Sequence, residues 1–303
     1  MLSATDRSTR ALWETVAVRH VYECPVRWAD LDLLGHVNNV IYIDYLQEAR
    51  IDMLLTHAPD SRANDLAEGV VVVAHDVQFL VPLTFRSHPV KVDTWVTEVK
   101  AATFTMAYEV YDETPEGRVV YLRAKSVLTP FVFAEERPRR ISADEREVLT
   151  RFLGEDPLQV TPERTPARRV TGGHYPLRVR FSDVDAYGHV NNVKYFEYFQ
   201  EGRIGYMANL WGGGEDYPQV SVVLAQMDVE YVRPIMFRSQ PYDVHSWVSK
   251  VGRSSFVVES EILDGDEVLS RARVVMVTFD PATQKAAPAP EIARQVLLRE
   301  LEA

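Results

Sequence analysis

Residues Val26–Ile51 read VRWADLDLLGHVNNVIYIDYLQEARI, and residues Val179–Ile204 read VRFSDVDAYGHVNNVKYFEYFQEGRI. At a constant offset of 153 residues, 16 of these 26 positions are identical. The likeness continues downstream at offset 152, in DVQFLVPLTFRSHP (Asp76–Pro89) against DVEYVRPIMFRSQP (Asp228–Pro241). Solenoid repeats run to roughly 20–50 residues, so a period this long marks a duplicated domain. A chain of 303 residues fits the same division, at roughly 150 residues per domain. The expected boundaries are 1–156 for the first domain, 157–176 for a linker rich in proline and arginine, and 177–303 for the second.

Each half has the same order of elements. A short strand, Glu23–Trp28, leads through the acidic turn into a helix over Asn39–Leu54, whose Val40, Ile43, Leu46, Met53 and Leu54 follow helical spacing. The second copy offers Val193, Phe196, Phe199, Ile204 and Met207. Apolar and tyrosine side chains crowd this helix, which predicts cover on several sides. Four segments rich in β-branched and aromatic residues follow: Val70–Leu80, Val90–Lys100, Thr103–Tyr111 and Val119–Val132. Strand, long helix, then consecutive strands predicts an α+β fold, an antiparallel sheet wrapped around one helix in each half. Ser142-Ala143-Asp144-Glu145 is a capping box opening a short helix to about Leu153, and Pro290–Ala303 is its counterpart. Arg164, Arg168 and Arg169 in the linker read as a solvated tether. The post-helix loops, 57–68 and 209–219, differ completely and are expected to shape a pocket.

Composition narrows the function. The hydrophobic share of 46% and charged share of 25% are those of a globular protein. No run approaches the roughly 18 apolar residues of a membrane span, and the opening MLSATDRSTR has none of the apolar core of a signal peptide. A single cysteine, Cys24, cannot pair internally, which fits a cytoplasmic location. A net charge of −11 argues against nucleic acid and anionic membrane as partners. No G-x-S-x-G, G-x-G-x-x-G or Walker loop occurs, so triad hydrolase, Rossmann and P-loop chemistries lose support.

What remains is the repeated block itself: Asp30-x-Asp32-x-x-Gly35-His36-Val37-Asn38-Asn39, copied as Asp183-x-Asp185-x-x-Gly188-His189-Val190-Asn191-Asn192. A carboxylate sits in a glycine turn just before a helix. Helix N-termini carry unpaired N–H groups and a positive dipole end, suited to a developing oxyanion. A carboxylate facing such a site across a carbonyl can activate water or attack directly. That pair suffices for a thioester, because a thiol with a pKa near 8.5 leaves without strong acid assistance. Asp and Asn before a helix are also ordinary turn and cap residues, a role assigned to Asp30 and Asp183. The functional reading rests on G-H-V-N-N being kept letter for letter in both copies. Gly35, Gly188, Asn38 and Asn191 are candidate substrate contacts, as are Arg86 and Arg238 of the shared F-R-S for phosphates. A metal on Asp30, Asp32 and His36 would lack further ligands at suitable spacing, so no metal or redox cofactor is expected.

The block D-x-D-x-x-G-H-V-N-N-x-x-Y-x-x-Y-x-Q-E-x-R resembles the hotdog-fold acyl-CoA thioesterases of the 4-hydroxybenzoyl-CoA thioesterase type. It is also similar to a segment of the fatty acyl-ACP thioesterases, which are tandem hotdogs. The resemblance implies two fused hotdog domains forming a pseudo-dimer. It implies that Asp32 and Asp185 are the catalytic carboxylates and that the backbone N–H groups of Asn39 and Asn192 receive the oxyanion. The acyl-ACP branch adds His36 and His189. That branch has Asn-Gln where this chain has Leu34-Gly35 and Tyr187-Gly188, which favours CoA esters. The implied function is hydrolysis of acyl-CoA, with CoA present only as part of the substrate; the alternatives are acyl-ACP hydrolysis and a regulator that binds acyl-CoA without cleaving it. A homodimer of the fused chain is compatible with this reading. Glu48 and Glu201 lie about 13 Å into their helices at 1.5 Å per residue, and are expected to pair with Arg27 and Arg180 or with Arg50 and Arg203.

Overall fold

A proline ends the first strand. In the computed structural model, which describes residues 18–57, 69–158, 164–185, 187–212, 220–283 and 285–302, β1 spans His20–Cys24 and stops before Pro25, which has no N–H for the ladder. The expected strand over Glu23–Trp28 therefore lies three residues too late, and Trp28–Asp30 is a single tight turn. The helix α1 (Ile41–His57) follows, then β2 (Val70–Phe79), β3 (Val90–Val99), β4 (Phe104–Thr114), β5 (Gly117–Val132), the two-residue β6 (Arg137–Pro138) and α2 (Ala143–Thr150). Ser142 Oγ accepts from the Glu145 N–H at 3.2 Å and the Glu145 carboxylate accepts from the Ser142 N–H at 2.7 Å, so α2 opens with the expected capping box.

The second half repeats the order with β7 (His174–Leu177), α3 (Asn192–Trp211), β8 (Val222–Tyr231), β9 (Tyr242–Val251), β10 (Ser255–Asp264), β11 (Glu267–Asp280), β12 (Lys285–Ala286) and α4 (Glu291–Glu302). Strand β7 starts inside the stretch read as linker. The three linker arginines are also not a solvated tether. Arg164 meets Glu230 at 3.4 Å and Arg169 meets Glu261 at 3.2 Å. Arg168 donates to the Leu301 and Glu300 carbonyls at the negative end of α4, at 3.0 and 3.3 Å. The N-terminal stretch read for a signal peptide lies outside the described residues, as do residues 58–68 and 213–219 of the two post-helix loops.

All strands join one antiparallel sheet in the order β1-β3-β4-β5-β2-β8-β11-β10-β9-β7, with β6 and β12 on its flanks. The two halves meet where β2 pairs with β8, and Asp76 lies directly opposite Asp228. These residues are each other's repeat equivalents, so the pseudo-twofold axis passes between them. Like charges facing across a strand pair are unfavourable. Lys125 and Arg273 stand 3.6 Å from Asp76 and Asp228 respectively. Burial, with Asp76 across the axis, still outweighs Gln226 and Arg273 and pushes the Asp228 carboxyl up to about 6.

The two central helices bury side chains nearly all round, as their composition predicts. Ile43, Leu46 and Ala49 of α1 and Phe196 of α3 are wholly excluded from solvent, and both halves contribute to one continuous core. Two fused hotdog domains therefore share a single sheet and a single interior. Among the described residues no helix is long and apolar enough to cross a membrane.

Candidate active site

The loop before each helix is built by its own side chains. Gly35 and Gly188 adopt φ of +76° and +82°, the left-handed region that glycine enters without strain, and this turns the chain back on itself. Asp32 Oδ1 accepts from the N–H groups of Leu34 (2.8 Å) and His36 (3.2 Å). Asp185 Oδ1 repeats this with Tyr187 (2.9 Å) and His189 (3.3 Å). The Val37 N–H donates to the Leu83 carbonyl at 2.7 Å, tying the loop to the segment after β2. Asn191 caps α3 and Asn38 makes the same contact in the turn before α1, each Oδ1 accepting at 3.0 Å from the N–H two residues on, in Val193 and Val40.

Asp30 and Asp183 hold the turn in place. Asp30 is buried and accepts from Tyr45 Oη at 2.5 Å and from the Arg27 N–H at 2.7 Å. Burial opposes ionisation of Asp30, yet these hydrogen bonds and the Arg27 guanidinium hold its carboxyl below the usual range. Asp183 accepts from Tyr198 and Arg180 in the same way, both at 2.8 Å.

Beside the first loop lies a cavity of about 250 Å³. Asp32, His36 and Asn39 line one side, Phe79 to Pro82 another, and Arg203, Val222, Val223, Leu224 and Met276 of the second repeat close it. Asp32 Oδ2 has no hydrogen-bond partner among the described residues, and neither has the Asn39 backbone N–H at the entry to α1. A carboxylate oxygen and a helix-terminal donor are thus both uncommitted at one apolar-walled space that needs both repeats to form.

The second loop has different neighbours. Asn192 Nδ2 donates to Gln47 Oε1 at 2.9 Å, its Oδ1 meets His75 Nε2 at 3.3 Å, and its carbonyl accepts from Tyr231 Oη at 2.9 Å. Phe133 stacks flat on Tyr187, ring centres 3.7 Å apart, and lies 6.2 Å from the His189 ring. His75 is wholly buried, bonded also to Ser126 Oγ at 2.8 Å, and burial lowers its pKa to about 3, so it stays neutral. In the other copy the positions of His75 and Tyr231 are taken by Met227 and Phe79, and of these Phe79 lines the cavity. The two copies of the block are therefore unequal in surroundings.

The other candidates are placed elsewhere. Arg86 pairs with Asp112 and donates to Tyr121 Oη at 2.6 Å. Arg238 pairs with Asp264 at 2.7 Å and lies 3.6 Å over the Tyr242 ring. Both arginines brace their own repeat and neither lines the cavity. Glu48 and Glu201 are exposed and pair with none of the arginines expected for them: Arg27 goes to Asp30, and Arg50 and Arg203 are buried without an ion pair among the described residues. Sequence reasoning passed over Arg203, Leu224 and Met276 as cavity walls; the only signal was an arginine kept in both copies of a helix otherwise rich in apolar residues. Among the described residues, no three His, Cys, Asp or Glu side chains group closely enough to hold a metal ion.

Comparison with known proteins agrees with this duplication. The chain is 35% identical over 127 residues to the uncharacterized protein YsmA of Bacillus subtilis (strain 168), covering 40% of this chain and 82% of the relative. Its fold is similar to the 12:0-ACP thioesterase from Umbellularia californica (TM-score 0.68, 16% identity, 86% of this chain and 94% of the other). It is also similar to an acyl-ACP thioesterase from Bacteroides thetaiotaomicron (TM-score 0.60, 15% identity, 86% and 97%). At these identities the likeness to the solved structures is one of fold. Residues 26–150 and 179–297 each match the Thioesterase-like superfamily, and the chain belongs to that family, twice over.

Proposed function

We propose that the chain hydrolyses acyl-CoA thioesters in the cavity beside Asp32. The observation that carries this reading is the pairing of an uncommitted Asp32 carboxylate oxygen with the unpartnered Asn39 N–H at the same cavity. In the proposed reaction Asp32 takes a proton from water as the oxygen adds to the thioester carbonyl. The charge that develops on the carbonyl oxygen is received by the Asn39 N–H at the positive end of α1. The C–S bond then breaks, and the thiolate leaves without needing a strong acid. Asn38 and Gly35 shape the loop, and His36 borders the space beside the carboxylate.

CoA is preferred to an acyl carrier protein because Leu34-Gly35 replaces the Asn-Gln of the acyl-ACP branch. The test is thiol release, followed with a colorimetric thiol reagent, from short, long, branched and aryl acyl-CoAs and from acyl-ACP. Turnover of at least one acyl-CoA, with acyl-ACP slower, is expected. Tight acyl-CoA binding without thiol release would replace the reading by a non-catalytic regulator.

A further inference from the structure

The cavity beside Asp32 holds a buried cation with no anion to meet it. Arg203, contributed by α3 of the second repeat, is 6% exposed, and its Nη1 is buried without a partner. Among the described residues it makes no hydrogen bond or ion pair, so even Asp32, across the same cavity, lies beyond ion-pair distance. Desolvation lowers its pKa to about 10, which leaves it charged at neutral pH. Asn39 Nδ2, on the opposite wall, is a second buried donor without a partner. Leaving a guanidinium uncompensated beside valine, leucine and methionine is strongly unfavourable, and an alkyl chain filling the cavity would make it worse by excluding water.

The repeat shows where Arg203 sits along the substrate. In the second half, Gln47 of α1 touches Asn192 at the start of α3, and Arg50 follows three positions later on the same helix face. Its charge reaches His75 and Tyr231, the groups that pack around Asn192. By repeat equivalence the matching pair is Gln200 and Arg203, with Arg203 about 4.5 Å farther along the axis at 1.5 Å per residue, and Arg203 lines the same cavity as Asn39. An acyl carbonyl held at the Asn39 N–H thus has Arg203 within reach of a group only a few carbons away. Arg50 Nη1 is also buried without a partner, but Arg50 does not line this cavity, whereas Arg203 and Phe79 do.

We infer that Arg203 receives a carboxylate carried by the acyl group itself, so that the preferred substrates are CoA monothioesters of short dicarboxylic acids. This deepens the hydrolysis proposed above and rests on it. A planar guanidinium takes a carboxylate through two parallel hydrogen bonds, which gives both affinity and a fixed acyl orientation.

The experiment compares succinyl-CoA with butyryl-CoA, and adipyl-CoA with hexanoyl-CoA, in wild type, Arg203→Met, Arg203→Lys and Arg50→Met, each checked by a thermal melt. In wild type, kcat/KM should favour the dicarboxylic member of a pair by at least about 10-fold, the worth of one charge-assisted contact. Arg203→Met should erase or invert that ratio, and Arg203→Lys should keep part of it, a point charge replacing the fork. Arg50→Met should leave the ratio unchanged. Equal loss on both members of a pair, an unchanged ratio in Arg203→Met, or the same effect from Arg50→Met would overturn the inference. If Arg203→Met does not fold, Arg203→Lys decides on the same ratio. A separate arm measures stabilisation of the uncleaving Asp32→Asn protein by free adipate against hexanoate. Adipate binding that depends on Arg203, with no thiol release from any ester, would sink the hydrolysis but keep the carboxylate site. Thiol release with no carboxylate preference would do the reverse.

Discussion

Around Asp32 the carboxylate oxygen accepts two N–H groups at 2.8 and 3.2 Å, and around Asp185 at 2.9 and 3.3 Å. Both loops turn on a left-handed glycine, and in both an asparagine side chain accepts from the N–H two residues on, at Val40 and Val193. The loops differ in what faces them. Asn39 looks onto a cavity of about 250 Å³, whereas Asn192 is held by Gln47, His75 and Tyr231, and Phe133 covers Tyr187. In the other copy, Met227, Phe79 and Pro281 stand at the positions of His75, Tyr231 and Phe133. Identity within the block thus preserves the loop, while the residues packed against it differ between the two copies.

Removing each carboxylate in turn should separate the two loops by the largest margin. Asp32→Asn should lower kcat by at least about 10²-fold, the low end for loss of a general base, while Asp185→Asn should stay within about 2-fold of wild type. Thiol-release kinetics on the best acyl-CoA measure both. Equal losses would mean that the second loop also turns over substrate, despite its covering residues.

A smaller effect should follow from making the first site resemble the second. Met227→His places an imidazole where His75 stands in the other copy, within reach of the Asn39 side chain by repeat symmetry. We expect kcat/KM to fall by about 10-fold, equivalent to about 1.4 kcal/mol of transition-state stabilisation, with the melting temperature unchanged or raised because a buried donor gains a partner. Undiminished activity would show that position 227 does not govern the site.

The smallest effect concerns the axis itself. Asp228 has a folded pKa of about 6 against an ordinary 3.8, so the folded state binds more protons between these values and stability falls as pH rises through that window. Asp228→Asn removes this loss, worth at most about 3 kcal/mol for a shift of this size. Its melting temperature should match wild type near pH 4 and exceed it by a few degrees at pH 7. A gap that does not grow with pH would mean that Asp76 and Lys125 set the balance at the axis instead.

The duplication and the α+β class were legible because a 26-residue block recurs with its helix spacing intact and β-rich segments follow it in both halves. The end of β1 was not, because strand composition outweighed the missing N–H of Pro25. The glycine turn, the Asn side-chain contacts and the Asp loop were legible since their chemistry is local. The cavity was not: its closing wall comes from residues that face the Asp32 loop only once β2 pairs with β8. His75 looks like an unremarkable buried residue until Asn192 is seen beside it. Arg203 misled for the same reason, since helical proximity suggested Glu201 as its partner while the fold turns the guanidinium toward the other repeat.

The join between β2 and β8 also has a consequence for heredity. In a two-copy assembly of identical chains, one codon change at a wall position is expressed at both sites, so a gain at one is tied to whatever it does at the other. Here positions 75 and 227 are separate letters of one gene, although they are equivalent across the axis. Each site can acquire mutations while its twin keeps the older sequence, and the molecule carries its own ancestor-like control within the same sheet.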